Sequence, residues 1–204
     1  MRSLRESRRS RKTRSAHSRF TPMQSDASAD LNATPAESSE RTDTVDSPIT
    51  TANGLVAILD ALGTKLFSLQ EAIEFIRLRD SIMTFTENVV ETSLPGLKME
   101  HLKKFTFNDT VVFAYKPPQG VTLGEVERFC HVLRVFETHS IRSNTPFRGA
   151  LGIGEFYIGD EQTILGPAVS DAASWYESAD WIGIHATPHA TMFIQSLLEA
   201  HRND

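Results

Sequence analysis

Gly54-Leu55-Val56-Ala57-Ile58-Leu59-Asp60-Ala61-Leu62-Gly63-Thr64-Lys65 is the stretch whose reading decides the fold. Leu55 to Leu59 is an unbroken apolar run, as expected of a strand buried on both faces. It ends on a carboxylate, Asp60, and Ala61-Leu62-Gly63-Thr64 then turns the chain. A strand end followed by a turn of small residues can present backbone N–H groups to a phosphate, and Lys65 adds positive charge there. An ordinary reading stands beside this one: Asp60 simply caps a turn.

Reading outward, residues 68–92 show a helical period, with Phe75, Leu78, Ile82, Phe85 and Val89 on one face. Ser68 with Glu71 three residues later predicts a capping box, and Pro95-Gly96 ends the helix. Lys103 to Phe107 and Val111 to Tyr115 read as two strands joined by Asn108-Asp109-Thr110, a hairpin. A second helix carries Val126, Phe129, Cys130, Leu133 and Phe136 on one face. Phe147 to Ile158 reads as a strand, residues 163–165 as a short one, Gly166-Pro167 as a helix start, and Trp181 to Ala186 as another strand. Thr187-Pro188 opens a last helix with Met192, Phe193, Ile194, Leu197 and Leu198. The order β–α–β–β–α–β–β–α–β–α, with a hairpin between helix crossovers, predicts an α+β sandwich with a ferredoxin-like βαββαβ core.

Charge is segregated along the chain. Residues 1–20 hold eight Lys or Arg against one acid, and residues 21–50 hold six acids against one base. This stretch has almost no large apolar residues and no period, so it cannot bury enough surface to offset its ordering entropy. We read 1–50 as a disordered tail, basic then acidic, and 51–204 as the folded domain. The overall charge of -5 argues against a nucleic-acid binder working by bulk charge. No apolar run approaches a membrane span. A single cysteine, Cys130, excludes an intrachain disulfide and a cysteine-based zinc site. These features point to a cytoplasmic protein.

Asp60 ends the first strand and Asp109 sits at the hairpin tip; a ferredoxin-like core brings these two places side by side. Two ionised carboxylates ~4 Å apart repel by about 4 kcal/mol at an effective dielectric of about 20. Either one stays protonated or a cation sits between them, and hard divalent cations are the usual solution, commonly with a substrate phosphate. Asn-Asp is also good turn chemistry, which is the plainer reading of Asp109.

Four stretches in order and spacing resemble the class III nucleotide cyclase catalytic domain. Val56 to Thr64 is similar to that family's first strand and metal-binding Asp loop. Phe107-Asn108-Asp109-Thr110-Val111 is similar to its hairpin with the second metal Asp, Asn108 standing where Gly is usual. Phe147-Arg148-Gly149-Ala150-Leu151-Gly152-Ile153-Gly154-Glu155 resembles the strand that follows, and Gly166-Pro167-Ala168-Val169-Ser170-Asp171-Ala172-Ala173-Ser174 its late helix. The resemblance covers roughly residues 54–187. Within the superfamily the likeness is to the bacterial Pycsar cyclases, which make cyclic UMP or cyclic CMP in antiphage defence. It implies two Mn²⁺ or Mg²⁺ ions held by Asp60 and Asp109, phosphates held by Ala61, Leu62, Gly63, Thr64 and Lys65, and a homodimer with its sites at the subunit interface.

The chain also departs from the family. The late-helix Asn and Arg are replaced by Ser170 and Ser174; Ser170 can still hydrogen-bond a ribose, but Ser174 carries no charge, which leaves Arg148 or Lys65 to supply the cation. The two positions that read a purine are Phe105 and Thr163, which argues against ordinary ATP or GTP recognition and leaves room for a pyrimidine. Phe105 also has a plain reading as core. Trp175, Tyr176 and Trp181 either stack on a base, build a dimer interface or pack the core. The resulting expectation is a cyclase acting on UTP, with CTP second. The alternatives are an inactive cyclase-like nucleotide-sensing or dimerisation module, favoured by the two serines, and a purine cyclase.

Overall fold

A computed structural model describes residues 51–94, 96–159, 163–178 and 181–203; the segment read as a tail lies outside them. The elements follow the expected order: β1 (Thr51–Ala61), α1 (Leu69–Ser93), β2 (Leu102–Phe107), β3 (Thr110–Tyr115), α2 (Leu123–Arg142), β4 (Phe147–Ile158), β5 (Ile164–Leu165), α3 (Pro167–Trp175), β6 (Gly183–Ala186) and α4 (Pro188–Asn203). The strands form one sheet in the order β2-β3-β1-β4-β5, with β6 also paired to β4. The first four strands are antiparallel neighbours throughout, while β6 runs parallel to β4. With α1 and α2 as crossovers, this is the predicted ferredoxin-like core.

Strand parity sorts the sheet into two faces. Leu55, Ala57 and Leu59 of β1 join Val111, Phe113, Phe147 and Leu151 in a core built against α1 and α2. Phe136 of α2 meets Phe113 and Phe147 edge-on, with ring centroids 5.3 and 5.0 Å apart, a geometry worth about 0.5–1.5 kcal/mol per pair beyond burial. The alternate residues Val56 and Ile58 join Ala114, Phe156, Ala168 and Ala172 in a second, smaller core under α3. Both faces of β1 are therefore buried, which is why its sequence is a run and not an alternation.

The α1 cap forms as predicted. The Ser68 hydroxyl accepts from the Glu71 N–H at 3.4 Å, and the Glu71 carboxylate accepts from the Ser68 N–H at 2.7 Å. The buried stripe of α1 differs from the predicted one: it comprises Phe75, Arg79, Ile82, Met83, Thr86 and Val90. Leu78 and Phe85 are exposed, and Phe85 stacks on His139 of α2 outside the core. On α2, Val126, Phe129, Leu133 and Phe136 are buried, but Cys130 is exposed and Val132 takes its place. On α4 only Ala190 is fully buried; Ile194 and Leu197 pack against the core while Met192, Phe193 and Leu198 face outward.

α3 lies close against the sheet because the strands beneath it carry glycine. A Cβ at Gly152 would stand 2.5 Å from the Ala168 carbonyl oxygen of α3. The helix is tied at its other side by Asp171, whose carboxylate accepts from the Thr187 hydroxyl at 2.5 Å. Gly152→Ala is expected to cost about 1–3 kcal/mol through overpacking, read by denaturant unfolding; unchanged stability would mean that α3 is free to lift off β4.

Candidate active site

The register of β1 gathers the site. Asp60 is paired with Thr110 of β3 on one side and with Arg148 of β4 on the other. Asp60 and Arg148 share the parity of Val56, Ile58 and Phe156, so both lie on the α3 face. An Arg148 Nη2 stands 3.5 Å from Asp60 Oδ2 and 3.7 Å from Glu177 Oε1, the latter just beyond the end of α3. The side chains of Asp60 and Arg148 are only 14% and 16% exposed, against 59% for Glu177. Arg148 Nε is buried without a hydrogen-bond partner.

Asp109 arrives from the β2–β3 hairpin. Its two-residue turn is Asn108-Asp109, with Asn108 in the left-handed region at φ 51°, a conformation Asn tolerates better than most residues. The Asp109 carbonyl accepts from the Ala61 N–H at 3.1 Å, and its carboxylate accepts a short hydrogen bond from the Thr64 hydroxyl. The hairpin tip is held from α1 by Arg79, a buried residue that donates to the Asn108 carbonyl at 2.6 Å while its other nitrogens bond Asp80. Neither Arg79 nor Glu177 was singled out by the sequence.

Asp60 carries the electrostatic strain of the site. Burial is the main cause that pushes its carboxyl above the usual aspartate range, the charge of Asp109 adds to it, and Arg148 opposes both. A hard cation between the two carboxylates would relieve that strain. Among the described residues no group of three or more His, Cys, Asp or Glu gathers as a complete metal cage. Two carboxylates with the remaining positions left to water and phosphate suit Mg²⁺, which usually binds in that way, so the residues present fit a divalent ion that shares its shell with a substrate.

The loop after β1 narrows the expected phosphate cradle. The Ala61 and Leu62 N–H groups are already engaged by the carbonyls of Asp109 and Pro146, at 3.1 and 2.9 Å. Gly63 turns the chain with φ 87° into a 3-10 turn over Thr64–Leu66. Thr64, Lys65, Asn108 and Asp109 line a cavity of about 330 Å³ floored by Phe67, Phe75 and Ile76.

A larger cavity, about 520 Å³, opens where β2 faces the β4–β5 turn, lined by Phe105, Ile158, Gly159, Lys103 and Glu87 among others. Thr163 sits beside it, its carbonyl accepting from the Gly159 N–H at 2.9 Å. Phe105 and Thr163 are thus brought to one region. Ser170 and Ser174 are exposed on α3, and the Ser174 hydroxyl is turned back onto the Ser170 carbonyl at 2.8 Å. Trp175 and Trp181 are exposed, while Tyr176 is half-buried and packs against the α3-side core. Among the described residues no helix is long and apolar enough to cross a membrane.

No protein-family model matches the sequence, and no curated protein matches it. Solved structures do match. The dimeric guanylyl cyclase domain of the RhoGC fusion protein from the aquatic fungus Blastocladiella emersonii superposes with a TM-score of 0.52 at 16% identity, over 72% of this chain and 86% of that one. A double mutant of the same domain in monomeric form gives the same figures, 0.52 and 16% over 72% and 86%. The catalytic core of a rhodopsin–guanylyl cyclase with converted specificity, in complex with ATPαS, gives 0.50 at 15% over 73% and 85%. The chain therefore has the α+β fold of a class III nucleotide cyclase catalytic domain.

The raised Asp60 carboxyl fixes the sign of a pH effect. Its contribution to stability is complete below the ordinary aspartate range and is lost as pH rises through its raised pKa. At neutral pH, without divalent ions, Asp60→Asn should therefore raise the melting temperature. The gain should vanish as pH falls below about 4. Mn²⁺ should raise the melting temperature of the wild type and not of the variant; a variant that melts lower at neutral pH would contradict the assigned strain.

Proposed function

We propose that this chain is a divalent-metal-dependent nucleotide cyclase that converts UTP, with CTP second, to the 3′,5′-cyclic nucleotide and pyrophosphate. The observation that carries the reading is Asp60 held beside Arg148 at the end of β1, with the charge of Asp109 near enough to push its carboxyl up, in a cyclase fold. Asp60 and Asp109 would hold two Mn²⁺ or Mg²⁺ ions, which when bound would supply charge neutralisation for the attacking and leaving oxygens. Gly63, Thr64 and Lys65 would hold the β- and γ-phosphates. The ribose 3′-oxygen forms a bond to the α-phosphorus, the α–β bridging P–O bond breaks, pyrophosphate leaves and the hydroxyl proton passes to solvent. Arg148 is the guanidinium placed to steady the charge that develops on the α-phosphoryl oxygens, and positioning with charge compensation is most of what such a reaction needs.

Support for a pyrimidine comes from the larger cavity, where an apolar residue, Phe105, stands in place of a charged base-reading group, with Thr163 beside Gly159 at its edge. Ser170 would bind the ribose. The site would be completed by a second copy of the chain in a homodimer, with the exposed Trp175 and Trp181 on the face that meets it. The role we assign is second-messenger synthesis in antiphage defence, in the cytoplasm, with residues 1–50 a dispensable tail. A purine substrate is the competing class, and one of the compared cyclase cores is itself in complex with ATPαS. A nucleotide-sensing or dimerisation module without turnover is the second reading, because Ser174 offers no charge and spends its hydroxyl on the helix backbone.

Incubating the protein with each of the four ribonucleoside triphosphates and Mn²⁺, and separating products by mass and chromatography, tests all three. Cyclic UMP or cyclic CMP is expected. Cyclic AMP or cyclic GMP would keep the chemistry and overturn the roles of Phe105 and Thr163, and no product would favour the sensing module. Asp60→Ala and Asp109→Ala should each lower turnover about a hundredfold or more while the dimer persists in size-exclusion chromatography; activity retained by either would remove that residue from the metal site.

A further inference from the structure

Among the described residues Arg148 is the guanidinium that reaches Asp60, and it serves two carboxylates at once. A single Nη2 lies 3.5 Å from Asp60 and 3.7 Å from Glu177, both long for a charge-assisted hydrogen bond. The guanidinium is thus suspended between two acids and seated fully on neither, and its buried Nε has no partner. If Asp60 gives its oxygens to a cation, Arg148 loses that carboxylate and is left beside new positive charge. The same nitrogen already touches Glu177, whose side chain is exposed enough to move.

We propose that Glu177 is a positioning residue that receives Arg148 when a divalent cation takes Asp60. The proposal rests on the reading of Asp60 as a cation ligand. Glu177 keeps the guanidinium in the site, a few ångströms aside, so that the cation need not expel it and a phosphate later finds it there. Without Glu177, Arg148 stays on Asp60 as a competitor for the cation.

Direct titration of Mn²⁺ without nucleotide, following free Mn²⁺ by electron paramagnetic resonance, tests this on the full chain. Glu177→Gln should weaken Mn²⁺ binding about fivefold, a coupling typical of side chains in contact. In an Arg148→Met background the same substitution should change binding no more than about twofold, because an exposed charge acting alone is screened. Equal losses in both backgrounds would show that Glu177 acts on the cation by its own charge, and no loss in either would show that it does not hold Arg148; each result overturns the proposal. Wild-type binding that survives Asp60→Ala unchanged would instead overturn the metal reading itself, and this inference with it. If Arg148→Met does not fold, the buried Arg148 Nε–H resonance can be followed by NMR during Mg²⁺ titration. It should persist in the wild type and be lost in Glu177→Gln, and persistence in both would overturn the proposal.

Discussion

Strand β1 is hydrogen-bonded on both edges, to β3 and to β4, and a one-residue slip on either side would turn its side chains to the wrong face. Both faces are apolar, so the fit of side chains sets the register: Leu55, Ala57 and Leu59 fill the larger core, Val56 and Ile58 the smaller, and a slip would exchange the two sets. Asp60 is the next residue in the second series. It is carried to the α3 face by the same alternation that buries Val56 and Ile58. Arg148, directly opposite on β4, is carried there by the alternation that buries Ala150 and Phe156. The site is thus a by-product of core packing at the strand ends, where the apolar pattern stops and the register persists.

Close packing of α3 depends on the same strands. Gly152 admits the helix backbone to the sheet, and this depth sets where the chain emerges at Tyr176 and Glu177. A bulkier strand would hold α3 further off and move Glu177 away from Arg148. The glycines of β4 therefore shape the site without touching it. Arg79 acts in a similar way from the other face, because its bond to the Asn108 carbonyl fixes the hairpin tip that bears Asp109.

This explains what was legible in the sequence and what was not. The β4 limits, Phe147 and Ile158, were readable because turn residues flank a continuous β-forming run, and the α1 cap was readable because its chemistry is local. The buried stripe of α1 was misread because a search for apolar period passes over Arg79 and Thr86. Arg79 is inside for a hydrogen bond to a carbonyl on another element, and Thr86 satisfies itself on the Ile82 carbonyl at 2.8 Å. Apolar residues left outside, such as Phe85, then found a partner in His139. At the site, Asp60, Asp109 and Arg148 lie in motifs with order and spacing. Glu177 closes the stretch Ala172-Ala173-Ser174-Trp175-Tyr176-Glu177, but nothing in that stretch marks its contact with Arg148, which is made across the fold. The cradle was overdrawn for a related reason: sequence shows that N–H groups exist in Ala61 to Lys65, but not that the first two are spent on Asp109 and Pro146.

The charges around Asp60 are what would give a cation a working part in the function we propose. Asp60 and Glu177 share the Arg148 guanidinium, the charge of Asp109 acts on Asp60, and Lys65 lies with Asp109 on the neighbouring cavity. Burial of Asp60 makes the excess negative charge more costly than it would be in water. A triphosphate brought to this cluster unaided would meet net repulsion and compete with the carboxylates for Arg148. Divalent ions held by the two aspartates, as proposed, would change the sign of the encounter by satisfying the carboxylates and attracting the phosphates. Arg148 would then have no aspartate to neutralise and would be available to the proposed substrate. A cluster kept for stability alone would be better served by apolar residues, since buried ion pairs seldom repay their desolvation. The persistence of this arrangement at the end of an otherwise apolar strand is therefore best accounted for by ligand binding.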